Sequence, residues 1–185
     1  MIYNRYNFLE SDKVNEFHDY LASKKGSASF EINYMGRWGE GLETGAYSGV
    51  FVLPLDQYKN YFWEKYANEV HEDFGNMDNL TVFMHIWPPG SQINWHHDAP
   101  EDTNRLSSTI YLNRNWNWNW GGLFLYDDPE MPGKQGWIFP YHNSMAWFKP
   151  PVWHSTTMVT LAAPEPRISI QLFFTKQSSQ STDVS

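Results

Sequence analysis

A mostly β domain, with two antiparallel sheets packed face to face and helices laid over the outside, is the fold this sequence predicts, and three observations predict it. Eight short runs rich in β-branched and aromatic residues follow one another between residues 79 and 174, separated by Pro, Gly and Asn-Asp clusters. Two segments ahead of them carry apolar residues at helical spacing. The chain also holds 12 Phe, 11 Tyr and 10 Trp among its 185 residues, ample for the core of one domain.

In chain order, the first helix is expected over about 11–25, with Ser11 as N-cap, Val14, Phe17 and Leu21 on one face, and Lys25-Gly26 as the stop. The second is expected over about 56–74, where Phe62, Tyr66 and Val70 recur every four residues and Gly75 follows. Both read as amphipathic covers. The β core, about 79–176, comprises NLTVFMHIW (79–87), SQINWHHD (91–98), RLSSTIYLN (105–113), GLFLYDD (122–128), GWIFPY (136–141), SMAWFK (144–149), WHSTTMV (153–159) and RISIQLFF (167–174). Eight antiparallel strands at this spacing suit a double-stranded β-helix, the jelly-roll or cupin-like arrangement. A single domain over 1–176 accounts for the whole pattern, and the Ser/Gln-rich tail 177–185 is expected to be disordered.

Composition removes several function classes. Cysteine is absent, so disulfides, thiolate metal sites and Cys nucleophiles are out, and any metal must be held by His and carboxylate. A net charge of -8 would repel a phosphate backbone, which argues against nucleic acid as a partner. The first residues, MIYNRYNFLESDK, contain no apolar run of signal-peptide length, and no stretch approaches the roughly 18 apolar residues of a membrane span. A soluble, cytoplasmic protein without a membrane partner is the expectation, and nothing in the sequence fixes an oligomeric state.

The stretch NWHHDAP, residues 94–100, sets three metal-ligating side chains side by side. In an extended strand, alternate side chains share a face, so His96 and Asp98 point one way and His97 the other, beside Ile93 and Trp95. Two ligands hold a metal poorly. Of the remaining histidines, His18 and His71 fall on expected helices, His85 on an earlier strand and His142 in the turn-like YHNS, which leaves His154 as the third ligand. Two His and one carboxylate form a facial triad whose open positions suit non-haem Fe(II) and oxygen chemistry. His-x-Asp alone is a common triplet, so other strands must support it.

Two of them do. In RISIQLFF, Arg167, Ser169 and Gln171 line one face against Ile168, Ile170 and Leu172; in RLSSTIYLN, Thr109 and Tyr111 oppose Ile110 and Leu112. A polar face inside a barrel needs partners, and a buried Arg167 needs an anion. Either a ligand carboxylate gripped by the planar guanidinium fork or a protein Asp or Glu could supply it, unless Arg167 lies in solvent.

From Phe83 to Phe174 these pieces, in order, resemble the 2-oxoglutarate and Fe(II)-dependent dioxygenases, in particular the prolyl 4-hydroxylase-like branch. The matching elements are PPGSQINWHHD, RLSSTIYLN, the WGG of Trp120 to Gly122 before LFLY, IFPYHNSMAWF, WHST and RISIQLFF. The resemblance implies that His96, Asp98 and His154 bind Fe(II), and that Arg167 grips the distal carboxylate of 2-oxoglutarate, helped by Tyr111 and Ser169. It also implies that O2 and 2-oxoglutarate are consumed to place a hydroxyl group on a C–H bond, with succinate and CO2 as products. Two departures from the family pattern stand out: TLAAPEP lengthens the interval between His154 and Arg167, and Asn143 occupies a turn position where relatives often have Gly. Asn tolerates the left-handed conformation, so the second change is benign.

By the same resemblance, the expected substrate is a prolyl residue in a peptide or protein, with a free amino acid or another small molecule as the alternative. Two rivals use the same residues differently. A non-catalytic jelly-roll with an aromatic platform would leave the triad structural and pair Arg167 with a protein carboxylate; a cupin-like metalloenzyme working without 2-oxoglutarate would have no use for Arg167 and Tyr111. If extended, NRNWNWNWGG (113–122) displays Trp116, Trp118 and Trp120 on one face, able to stack on a sugar or a proline ring. Otherwise the three pack between the sheet and a covering helix. Trp95 and Trp153 are expected as walls behind the ligands, and the glycine-rich segment 36–49 as a substrate lid.

Overall fold

The computed structural model describes residues 2–24, 34–35, 48–70, 77–98, 105–149 and 151–176. Its elements in order are β1 (Ile2–Arg5), α1 (Ser11–Lys24), β2 (Tyr34–Met35), β3 (Ser48–Gly49), β4 (Phe51–Pro54), α2 (Lys59–Glu69), β5 (Asn79–Trp87), β6 (Ile93–His96), β7 (Arg105–Tyr111), β8 (Phe124–Asp127), β9 (Gln135–Ile138), β10 (Met145–Phe148), β11 (His154–Thr156) and β12 (Arg167–Thr175). Two sheets face each other. The larger has the order β1-β10-β7-β12-β5-β4 and the smaller β6-β11-β8-β9, with β2 and β3 forming a separate hairpin. The eight expected strands are all present, four in each sheet, as a jelly-roll requires.

Alternation along the strands divides the large sheet into two faces. Met84, Ile86, Ile110, Ile168, Ile170 and Leu172 lie on the outer face and join Val14, Phe17 and Leu21 of α1 and Phe62 and Tyr66 of α2 in one apolar cluster. The helices cover this sheet because their apolar residues recur at the i, i+3 or i+4 spacing that makes one stripe. A polar contact fixes α2 in place: Ser108 Oγ donates to the Ala146 carbonyl at 2.8 Å, so the Tyr66 hydroxyl is the donor in its own 2.5 Å bond to Ser108. The opposite face of the sheet, carrying Ser107, Thr109, Tyr111, Arg167, Ser169 and Gln171, turns toward the smaller sheet.

Several boundaries differ from expectation. Val14 N–H donates to the Glu10 carbonyl, so the first turn opens one residue early and Ser11 lies inside α1. The second helix begins as a 3-10 turn at Asp56–Tyr58 and closes at Val70; residues 71–76, including His71 and Gly75, lie outside the described residues. So do 36–47, most of the expected lid, and the tail 177–185. β1 and β4 were not expected. They add edges to the large sheet by pairing with β10 and β5, and each is four residues long, too short to declare a period. No helix among the described residues is long and apolar enough to cross a membrane.

Asn143 does more than tolerate its turn. Its φ is 53°, its side chain exchanges two 2.8 Å hydrogen bonds with the backbone of Leu9, and its own backbone bonds to Phe8 and Tyr111. One buried residue thus ties the segment before α1 to the end of β7. Asn143→Ala should lose about 2 to 4 kcal/mol in urea unfolding, from two buried hydrogen bonds and a left-handed backbone; a loss under about 0.5 kcal/mol, the range of ordinary surface substitutions, would show that the tie is not needed.

Candidate active site

The cavity between the sheets is lined by His96, Asp98 and His154 on one side and by Arg167, Trp87 and His85 on the other, with Thr109, Gln171 and Phe173 among the residues between. β6 and β11 pair His96 with His154 but Ile93 with Thr156, so β6 advances three residues while β11 advances two. This extra residue is a β-bulge, and it turns Ile93 and His96 to the same side. Both line the cavity, so Ile93 does not sit in the outer layer where strict alternation placed it. His97 does point elsewhere, its ring edge-on to Trp153 at 4.7 Å.

The three ligand candidates from the sequence meet in space. Asp98 Oδ1 lies 3.8 Å from Nε2 of both His96 and His154, and one ligand atom from each residue falls within 4.8 Å of the others. Two donors each about 2.0–2.2 Å from a shared ion lie at most about 4.4 Å apart, and both carboxylate–imidazole separations satisfy that limit. The histidine tautomers suit an ion as well. Nδ1 of His96 faces the Asn94 carbonyl and Nδ1 of His154 the Val152 carbonyl, each at 2.8 Å. A carbonyl only accepts, so each Nδ1 carries the proton and each Nε2 keeps a lone pair for the centre. Ser107 Oγ donates to Asp98 Oδ2 at 2.6 Å and leaves Oδ1 facing the imidazoles, while Arg105 donates to the Asp98 carbonyl at 3.2 Å. The His154 ring stacks on Phe124 and meets Phe148 edge-on. Burial pushes its pKa down to about 4, against the opposing charge of Asp98, so it is neutral at pH 7.

Arg167, at the start of β12, is only 1% exposed. Among the described residues, no Asp or Glu forms an ion pair with it, and its Nε and Nη1 have no hydrogen-bond partner. Its guanidinium carbon lies 4.9 Å from the Tyr111 ring centroid and 5.5 Å from that of Trp87. The Tyr111 hydroxyl lies against the guanidinium and can accept from it, while the hydroxyl of Ser169, paired with Tyr111 across β7 and β12, has no partner among the described residues. Neither residue is among those lining the cavity; they stand beside Arg167. Donors of Arg167 and Ser169 thus meet no acceptor there among the described residues. Thr109 Oγ1, by contrast, is satisfied by Gln171 Oε1 at 2.7 Å.

Two features of the site escaped the sequence reading. Gly122 has φ +68°, and a Cβ there would stand 2.7 Å from Arg167 Cδ; Gly121 has φ +66°, and a Cβ there would collide with the Met158 carbonyl. Gly122 thus leaves room for the arginine side chain and Gly121 for the Met158 carbonyl; the WGG motif marks the pair but not these roles. His85 is the second. It sits on the cavity wall opposite Ser169, and burial, reinforced by the charge of Arg167, lowers its pKa to about 3.

The tryptophans pack and form no common platform. Residues 118–120 form a 3-10 turn, held where the Asn117 side chain accepts from the Asn119 N–H, so the three indoles do not share a face. Trp116 and Trp120 pack edge to face beside Val50 and Trp87, while Trp118 meets Trp137 and Phe139. Trp153 is 47% exposed and forms no wall behind His154. The TLAAPEP loop is tied down by Val159, whose N–H donates to the Ser91 carbonyl and whose carbonyl accepts from Gly90.

The model of the 2OG-Fe(II) oxygenase superfamily matches residues 80–175, just over half of the chain. The chain belongs to this superfamily. Fe(II) is therefore its cofactor, with 2-oxoglutarate and O2 as co-substrates, and His96, Asp98 and His154 form its candidate iron triad. Among solved structures, a prolyl-4-hydroxylase from Pseudomonas putida is similar at 17% identity and a TM-score of 0.71, covering 96% of this chain and 93% of the other. A prolyl hydroxylase from Trichoplax adhaerens, in complex with a hypoxia inducible factor oxygen degradation domain peptide fragment, is 19% identical with a TM-score of 0.73, covering 95% and 83%. The alpha-ketoglutarate-dependent epimerase SnoN of nogalamycin biosynthesis is also similar, at 13% identity and a TM-score of 0.60, over 95% and 78%. At these identities the likeness is one of fold. No curated protein sequence matches the chain.

Two predictions concern the oxygenase's own residues. Ser107→Ala frees Asp98 Oδ2 and should weaken Fe(II) binding roughly 10- to 100-fold in anaerobic titration, as loss of a ligand's supporting hydrogen bond typically does; unchanged affinity would show that Asp98 needs no such support. The second is acid destabilisation of the metal-free protein. His85 falls from the ordinary 6.5 to about 3 on folding, so below pH 6.5 the unfolded chain binds the extra proton and stability drops as pH falls. Between pH 6.5 and 5, His85 alone should account for about 2 kcal/mol in urea unfolding. His154 acts in the same direction. His85→Leu should flatten this limb, and an unaltered slope would contradict a buried, neutral His85.

Proposed function

We propose that this chain is a hydroxylase that inserts one oxygen atom into a C–H bond of a prolyl residue in a peptide or protein. The observation that carries the reading is the cavity itself, with a two-His, one-carboxylate cluster at one wall and, at the other, a buried arginine that meets no carboxylate among the described residues. His96 and His154 would hold Fe(II) through Nε2, and Asp98 through Oδ1. Arg167 would grip the distal carboxylate of 2-oxoglutarate in its planar fork, with the hydroxyls of Tyr111 and Ser169 donating to the same group. Bound iron supplies the oxidising chemistry, in which 2-oxoglutarate and O2 yield succinate, CO2 and one oxygen atom for the substrate.

The chain's own contribution is positioning and exclusion of water. Phe124 and Phe148 pack on His154 and keep its ring dry and oriented. Arg105 lies over the Phe173 ring at 4.2 Å while holding the Asp98 backbone, which ties the wall of the cavity to a ligand. The non-catalytic alternative requires a protein carboxylate at Arg167, and none of the described residues supplies one. Prolyl specificity rests on likeness to the Pseudomonas and Trichoplax hydroxylases. The similarity to an epimerase makes the reaction itself worth testing.

With Fe(II), 2-oxoglutarate and air, the protein should add 16 Da to a prolyl residue of a proline-containing peptide, read by tandem mass spectrometry, with one succinate formed per hydroxylation. Succinate without peptide oxidation, together with hydroxylation of a free amino acid, would move the substrate to the small-molecule class. Absence of succinate from a folded, iron-loaded sample under every substrate would contradict the reading.

A further inference from the structure

Gln171 presents donors that the iron triad and the arginine pocket leave unused. On the inner face of the large sheet, β12 sets Phe173 opposite Ser107, Gln171 opposite Thr109 and Ser169 opposite Tyr111. Ser107 holds Asp98, so Gln171 stands next to the level of the iron triad and four residues, roughly 13 Å of strand, from Arg167. Its carboxamide oxygen accepts from Thr109 Oγ1 at 2.7 Å, which turns the two N–H groups of Nε2 away from Thr109. Nε2 meets no acceptor among the described residues, and it is not sealed in protein as Arg167 Nε and the Ser169 hydroxyl are. Gln171 lines the cavity, so the free end of its side chain opens there.

What such a donor can read follows from the chemistry of the substrate. A prolyl residue has no backbone N–H, so the main chain on either side of its ring offers two carbonyls, its own and that of the residue before it, without a donor between them. Gln171 is the complement: Thr109 occupies its acceptor, and only N–H groups face the cavity. The two ends of the co-substrate are claimed elsewhere, one by Fe(II) and one by Arg167. Of the other polar residues on the cavity wall, Trp87 pairs with Arg167 and His85 with Ser169, both nearer the arginine, and Thr156 belongs to the facing sheet. We infer that Gln171 is a substrate-binding residue, its carboxamide N–H groups donating to a main-chain carbonyl that flanks the target prolyl ring. This rests on the prolyl hydroxylase reading above and deepens it, because a fixed carbonyl determines which ring carbon is turned toward the iron.

The test uses a capped proline-containing peptide that the wild type hydroxylates, and protein loaded with 2-oxoglutarate and either Fe(II) or inert Zn(II). Gln171→Met keeps the length of the side chain and removes its N–H groups. It should weaken peptide binding to the Zn(II) form roughly 3- to 10-fold in calorimetry, the range for one neutral hydrogen bond, and leave Fe(II) and 2-oxoglutarate affinities unchanged. In turnover it should form more than one succinate per hydroxylation, because the peptide is no longer held in register with the iron. In the wild type, replacing each flanking carbonyl in turn by a thiocarbonyl, a weaker acceptor, should weaken binding at one of the two positions, and that difference should vanish in Gln171→Met. A merely structural Gln171 would lower the melting temperature and leave the succinate ratio and the carbonyl discrimination intact. Unchanged peptide binding and coupling in Gln171→Met, or weaker 2-oxoglutarate binding with peptide affinity unchanged, overturns the inference alone. If the wild type hydroxylates no prolyl peptide, the reading of function fails and the inference fails with it.

Discussion

A guanidinium buried between two sheets, with no carboxylate among the described residues against it, governs how both walls of the cavity are built. Removing such a charge from water costs several kcal/mol even after relaxation, and burial alone shifts Arg167 below its ordinary pKa. Its surroundings are arranged to keep it there. Tyr111 and Trp87 supply aromatic faces, and Gly122 gives up a side chain where Arg167 Cδ passes. A protein that carried this arrangement for stability alone would do better with an apolar residue of similar volume. The arrangement makes sense when an organic anion completes it.

The iron side is built by a different device. Antiparallel pairing brings His96 and His154 together although 58 positions separate them (154 minus 96), and a one-residue bulge in β6 turns His96 and Ile93 into the cavity. Backbone carbonyls at Asn94 and Val152, each two residues before its histidine, fix both tautomers. The sheets therefore place the candidate ligands and also set their tautomers. Because the two walls belong to facing sheets, a molecule that chelates iron with one end and meets Arg167 with the other bridges them, and its length is selected by the fold.

Much of this was legible in residue alternation. Period two in RISIQLFF and RLSSTIYLN separated Arg167, Ser169, Thr109 and Tyr111 from the apolar face that the helices cover, because a sheet with one buried apolar face cannot slip register by a residue. The same rule misplaced Ile93, since a bulge breaks alternation without leaving a mark in composition. The platform alternative for Trp116, Trp118 and Trp120 fails for a related reason: their alternation with Asn imitates a strand, while an Asn117 side chain that accepts from a nearby backbone N–H closes a 3-10 turn. β1 and β4 are too short to carry a period. That Arg167 meets no carboxylate among the described residues is a property of three-dimensional neighbours and has no trace in the chain.

The most direct measurement is an anaerobic titration of the Fe(II)-loaded protein with 2-oxoglutarate, following the weak visible charge-transfer band that arises when an oxo acid chelates iron. The band should appear in the wild type, be absent in Asp98→Ala, and require far more 2-oxoglutarate in Arg167→Met. A folded, iron-loaded wild type that shows no band at saturating 2-oxoglutarate would contradict this expectation.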